Sequence, residues 1–69
     1  MTLGERIAEI RRSRGVTQEE LAQEIGVSRQ SIYKYETDRA DPRLFITTCI
    51  ADVLGVTIDC LVRGGDYEI

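Results

Sequence analysis

Arg29, Gln30, Tyr33 and Lys34 are the residues of this chain whose types and spacing amount to a chemistry, and that chemistry is hydrogen-bond donation to nucleic acid. An arginine pairs bidentately with a guanine edge and a glutamine with an adenine edge, and a helix fits the major groove of B-form DNA, where those edges are distinguishable. Tyr33 can pack against a sugar or a thymine methyl or hydrogen-bond a phosphate; its plainer reading is a partly buried aromatic. Around these four stand donors suited to the phosphate backbone, which positions a protein on the duplex without carrying sequence directly. Ser28 and Ser31 offer hydroxyls, although Ser28 is first of all a helix cap. Arg39 and Arg43 flank a polar loop as candidate phosphate contacts, with a solvated side chain as the plainer reading of each. Gln18 opens a helix, where free backbone N–H groups and the helix dipole favour a phosphate.

The segment that must position these residues is Thr17 to Glu36, which reads as two short helices joined by a tight turn. Thr17 with Glu20 three residues on has the reciprocal pairing of a capping box, Gly26 supplies a left-handed stop, and Ser28 caps the next helix at once. Leu21, Ala22 and Ile25 line one face of the first helix, and Ile32 and Tyr35 one face of the second, so both bury a stripe against a common core. Arg29, Gln30, Tyr33 and Lys34 are left pointing outward.

The Thr-Gln-Glu-Glu-Leu-Ala opening, the Gly-Val-Ser-Arg-Gln-Ser-Ile turn and the Tyr-Glu ending together resemble the lambda-repressor/Cro-like helix-turn-helix family, sometimes called the Xre family. The resemblance runs from Leu3 to about Val62 and implies an all-α, compact bundle of about five short helices with the helix-turn-helix at helices 2 and 3. It implies that Gln18 contacts phosphate and that Lys34 falls at a base-contacting position where a lysine can equally bind phosphate. It also implies that Arg11 and Glu36 form a partly buried ion pair tying helix 1 to the end of helix 3. The chain departs from the pattern at Thr37-Asp38, where an Asn-Gly turn is common. Aspartate adopts the left-handed conformation less easily than glycine, so the resemblance does not fix the geometry of this loop.

At 69 residues the chain has room for one core, which buries about 60% of the unfolded chain's surface. No repeat, low-complexity tract or linker divides it, so residues 1–69 read as a single domain. No apolar run is long enough to span a bilayer, and the N-terminal segment is an amphipathic helix pattern without the layout of a signal peptide, so a cytoplasmic protein without membrane contact is expected. Cys49 and Cys60 lack CxxC spacing and the chain has no histidine, which argues for reduced structural thiols and against a zinc site. No nucleophile-and-base arrangement or phosphate loop is visible; no cofactor, metal or small-molecule substrate is expected, and the chain does not read as an enzyme.

The net charge of −3 argues against DNA binding, because phosphate attraction supplies much of such affinity. Its distribution weakens that argument. Residues 1–43 hold eight basic and eight acidic side chains, whereas residues 44–69 hold Arg63 against Asp52, Asp59, Asp66 and Glu68. A surface built from helix 3 and its flanks can therefore be locally positive.

Thr2 with Glu5 forms another capping box, opening a helix with Leu3, Ile7, Ala8 and Ile10 on one side that runs until Gly15. Asp41 as N-cap and Pro42 in the first turn predict a fourth helix from about Pro42 to Leu54, ended by Gly55. Thr57 caps a last short helix through Ile58, Leu61 and Val62, stopped by Gly64-Gly65. On helix 4, Leu44, Thr47, Ile50, Ala51 and Leu54 suffice for a core stripe, yet Phe45, Cys49 and Val53, with Ile46 nearby, form a second apolar face. Such a face is covered either by a second copy of the chain, with residues 42–69 as the dimerisation region, or from within by Tyr67 and Ile69. A two-fold homodimer on a palindromic operator fits paired reading helices. The expected function is thus a small phage- or bacterial-type transcriptional regulator, a repressor, binding double-stranded DNA. The rival is an antitoxin-like or adaptor module that binds protein through the apolar face of helix 4.

Overall fold

Thr2, Thr17, Ser28 and Thr57 each take an extended backbone just ahead of a helical segment, and each hydroxyl accepts the backbone N–H three residues on at 2.9–3.1 Å. These caps begin four of the five helices in the computed structural model of the chain, which describes residues 1–64. The helices are α1 (Leu3–Ser13), α2 (Gln18–Ile25), α3 (Arg29–Glu36), α4 (Leu44–Leu54) and α5 (Ile58–Arg63). At α1 and α2 the box closes fully, with Glu5 and Glu20 reaching back to the cap backbone. Gly26 and Gly55 end α2 and α4 in the left-handed region, at φ 78° and 75°.

Five short helices bury one core because each contributes a stripe to it. Ile7 and Ile10 from α1, Leu21 from α2, Ile32 from α3, Ile50 and Leu54 from α4 and Leu61 from α5 are all but inaccessible to solvent. At about 1.5–3 kcal/mol for each large side chain removed from water, these contacts dominate the favourable side of the fold's energetics. α3 packs on α1 and α2, while α4 packs on α1, α2 and α5, so the helix-turn-helix lies across one side of the bundle. Both cysteines are free thiols, Cys60 buried in the core and Cys49 half-buried.

Two arginines close helix ends from a distance. The Arg6 guanidinium donates to the carbonyls of Leu61 and Val62 at 2.9 and 3.2 Å, and Arg14 Nε donates to the Leu54 carbonyl at 2.9 Å. They satisfy C-terminal carbonyls of α5 and α4 that have no partner within the helix, and place positive charge at the negative ends of those dipoles.

The structure corrects two features expected of helix 4. It begins at Leu44, with Arg43 as an N-cap that makes no side-chain cap bond, and Asp41 and Pro42 stay outside it. α3 and α4 both pack on α1 and α2 but not closely on each other, so the connection has to span between them, and extended residues cover more than twice the distance of helical ones. Thr47 Oγ1 donates back to the Arg43 carbonyl at 3.1 Å inside the first turn. Leu44, assigned above to the core stripe, is instead 74% exposed. Helical side chains lean toward the N-terminus, so from the first position Leu44 reaches past the end of the bundle, where only the polar loop precedes it. The expected stop at Gly64 is present in the left-handed conformation. The proposed cover by Tyr67 and Ile69 lies outside the described residues.

Candidate nucleic-acid interface

α3 is two-faced because Ile32 and Glu36 are drawn inward, which turns Arg29, Gln30, Tyr33 and Lys34 to solvent. Tyr33 is 43% exposed and joins Arg29 and Gln30 around a shallow open depression, so it belongs to the outward surface. Arg29, Gln30 and Lys34 have no side-chain partner among the described residues. Three donors with unsatisfied hydrogens thus stand on one face of one helix. Ser28 Oγ accepts the Ser31 amide at 3.1 Å and lies 3.0 Å from Ser31 Oγ, so its first role is to start α3.

The pose of α3 is set by a buried polar network. Arg11 Nε donates to Glu36 Oε2 at 2.6 Å and Arg11 Nη2 to Oε1 at 3.2 Å, a bidentate pair whose side chains are 10% and 4% exposed. Arg11 Nη1 also donates to the Val16 carbonyl at 2.8 Å, and Gln18 Nε2 to Glu36 Oε1 at 2.9 Å. One carboxylate therefore joins α1, the α1–α2 connection, the start of α2 and the end of α3. A buried charge pair is tolerable when its remaining hydrogen-bonding capacity is met, and here no buried polar side-chain atom among the described residues lacks a partner. The amide of Gln18 that donates to Glu36 is committed to this network. A second amide hydrogen and the free N–H groups of the first turn of α2 remain for an anion.

Arg39 and Arg43 are exposed on the α3–α4 loop and have no side-chain partner among the described residues. Residues 29–43 carry Arg29, Lys34, Arg39 and Arg43 against Glu36, Asp38 and Asp41. Glu36 is neutralised by Arg11, and Asp38 is turned to α1, its carboxylate accepting the Gly4 amide at 3.1 Å and the Thr2 hydroxyl at 2.5 Å. With Glu36 paired to Arg11, four cations face Asp38 and Asp41, and this stretch is locally basic in a chain of net charge −3.

The second apolar face of α4 divides. Ile46 and Val53 are half-buried and pack against the core, Cys49 is half-buried, and Phe45 is 69% exposed beside the exposed Leu44. Val53 also borders a depression with Glu20 and Glu24. Sequence reasoning missed the part Gln18 plays in the buried network and the contact of Asp38 with α1. Thr2 and Asp38 lie 36 residues apart, and nothing local in the sequence announces that they meet.

The model of the helix-turn-helix family matches residues 7–59, and the chain belongs to that family. It is 39% identical over 61 residues to the SPbeta prophage-derived uncharacterized HTH-type transcriptional regulator YonR of Bacillus subtilis (strain 168), covering 88% of this chain and 56% of that protein. The chain thus spans about half the length of that relative. Among solved structures, the P22 c2 repressor in complex with a synthetic operator superposes with a TM-score of 0.87 at 26% identity, covering 93% of this chain and 97% of that one. The biofilm regulator SinR in complex with DNA gives a TM-score of 0.81 at 26% identity, covering 87% and 97% of the two chains.

Proposed function

We propose that this chain binds double-stranded DNA sequence-specifically as a transcriptional regulator, acting as a repressor in the cytoplasm, with α3 in the major groove. The observation that carries the reading is the row of partnerless donors Arg29, Gln30 and Lys34 on a helix clamped from behind by the Arg11–Glu36–Gln18 network. Base readout needs donors that are free and a backbone that does not move, and this arrangement supplies both. The similarity to an operator-bound repressor over nearly all of both chains supports the same reading. In it, Arg29 and Gln30 contact base edges, Lys34 and Tyr33 follow one turn on, and Gln18, Ser28, Ser31, Arg39 and Arg43 hold phosphates. A homodimer on a palindromic operator places two copies of α3 on one face of the duplex, with Phe45 at the centre of the seam and Ile46, Cys49 and Val53 at its inner edge.

Arg29→Ala and Gln30→Ala are each expected to lower affinity for a selected duplex by about 1–3 kcal/mol and to relax preference at particular base pairs, with melting temperature almost unchanged. Equilibrium titrations against the selected duplex and single-base variants of it check this. Equal affinity and equal selectivity in both variants would remove α3 as the reader. Arg43→Ala is expected to weaken specific and unrelated duplexes alike and to reduce the slope of log K against log salt by about one. A slope equal to the parent's takes Arg43 off the phosphate backbone.

A further inference from the structure

Asp38 sits at φ 60°, the one described residue other than glycine in the left-handed region. Aspartate reaches that conformation when its short carboxylate finds partners, and here the partners belong to a different helix. Oδ1 accepts the Gly4 amide at 3.1 Å and Oδ2 accepts the Thr2 hydroxyl at 2.5 Å. Both groups open α1, where free N–H groups and the positive end of the dipole favour an anion. Gly4 lets the two helices approach. A Cβ there would fall on the Tyr35 carbonyl oxygen and come within 2.7 Å of the Glu36 carbonyl, so the first turn of α1 lies directly against the last turn of α3. Just beyond Asp38, the amides of Arg39 and Ala40 both donate to the Lys34 carbonyl, at 2.9 and 3.3 Å, folding the loop back on α3.

From this geometry we infer that Asp38 is a positioning residue for DNA reading, clamping the C-terminal end of α3 to the start of α1 and so aiming Lys34. The inference rests on the reading of α3 given above. Ile32 seats α3 in the core, and two polar attachments then fix its C-terminal end to α1. Glu36 supplies one attachment at Arg11, and Asp38 supplies the other at Gly4, about 10 Å further back along α1 at the helical rise. The Arg11–Glu36–Gln18 network holds the end of α3 in place, and the Asp38 clamp adds a second point that restrains its angle to α1.

Asp38→Gly and Asp38→Asn separate the clamp from the backbone geometry. Glycine takes the left-handed conformation without strain but loses both hydrogen bonds, whereas asparagine tolerates the conformation and keeps an acceptor for the Gly4 amide. Both variants are expected to fold, as judged by circular dichroism. Asp38→Gly should lose about tenfold in affinity for a selected duplex while its affinity for unrelated duplex stays level, and Asp38→Asn should recover most of that loss. A role in folding alone would leave the ratio of selected to unrelated affinity at the parent's value in both variants. In the free protein, residual dipolar couplings of the α3 amides should report α3 turned relative to α1 in Asp38→Gly and unturned in Asp38→Asn. Couplings identical to the parent's in Asp38→Gly overturn the clamp whether or not the protein reads DNA. If the parent shows no duplex selectivity, the DNA reading fails, and the functional part of this inference fails with it.

Discussion

Glu36→Ala is expected to unfold much of the protein at room temperature. The Glu36 carboxylate accepts from Arg11 twice and from Gln18 once inside the bundle, and its removal strands a guanidinium whose side chain is 10% exposed. Breaking a buried pair by removing one partner costs about 3–5 kcal/mol, and a domain of this size is stable by only about 3–10 kcal/mol. Urea titration followed by circular dichroism measures the loss. The double replacement Arg11→Met with Glu36→Leu should regain a large part of it, because no unpaired charge is then left in the interior; the Val16 carbonyl and the Gln18 amide, deprived of partners, keep the recovery incomplete. A Glu36→Ala variant as stable as the parent would mean that the network does not hold α3.

Phe45→Glu is expected to lower operator affinity by about 10²–10⁴-fold while every candidate base-reading side chain remains in place. Phe45 is 69% exposed in the single chain, so its loss costs the monomer little, but in the proposed two-fold seam the new carboxylates would be buried near their symmetry mates. Two half-sites held together gain from effective concentration, and that gain disappears with the dimer. Val53→Lys is a weaker probe of the same seam, because Val53 is half-buried against its own core and borders Glu20 and Glu24, which would partner the new ammonium. Sedimentation equilibrium at micromolar concentration should find a parent dimer and a Phe45→Glu monomer. A monomeric parent, or a dimeric variant, places the seam elsewhere.

The elements that were legible in the sequence are those whose signals are local. Thr2 with Glu5 and Thr17 with Glu20 announce helix starts within four residues, Gly26 and Gly55 announce stops, and the outward row on α3 follows from the apolar face of Ile32 and Tyr35. Asp41 and Pro42 make a good local start signal, yet α4 starts at Leu44, because the chain must cross from α3 to a helix that does not pack closely against it. Leu44 was misassigned because periodicity gives the face of a helix but not whether the core extends beyond its first turn. The contacts that tie the bundle together across long separations, Arg6 to Leu61, Arg14 to Leu54 and Asp38 to Thr2, join residues 36 to 55 apart and exist only once the fold has formed. The local charge balance of the site was legible in outline, and the fold tips it further toward the basic side by pairing Glu36 with Arg11 in the interior.

The central claim, that α3 reads base edges from the major groove, is tested most directly by methylation protection, since dimethyl sulfate attacks guanine N7 and that atom faces the major groove. On a duplex selected from random sequence, the protein should protect a guanine in each half-site. Arg29→Ala, assayed at saturating protein, should lose that protection while Arg43→Ala keeps it. Guanines that stay reactive under the bound parent protein, or that stay protected under Arg29→Ala, would contradict the assignment of α3 as the reading helix.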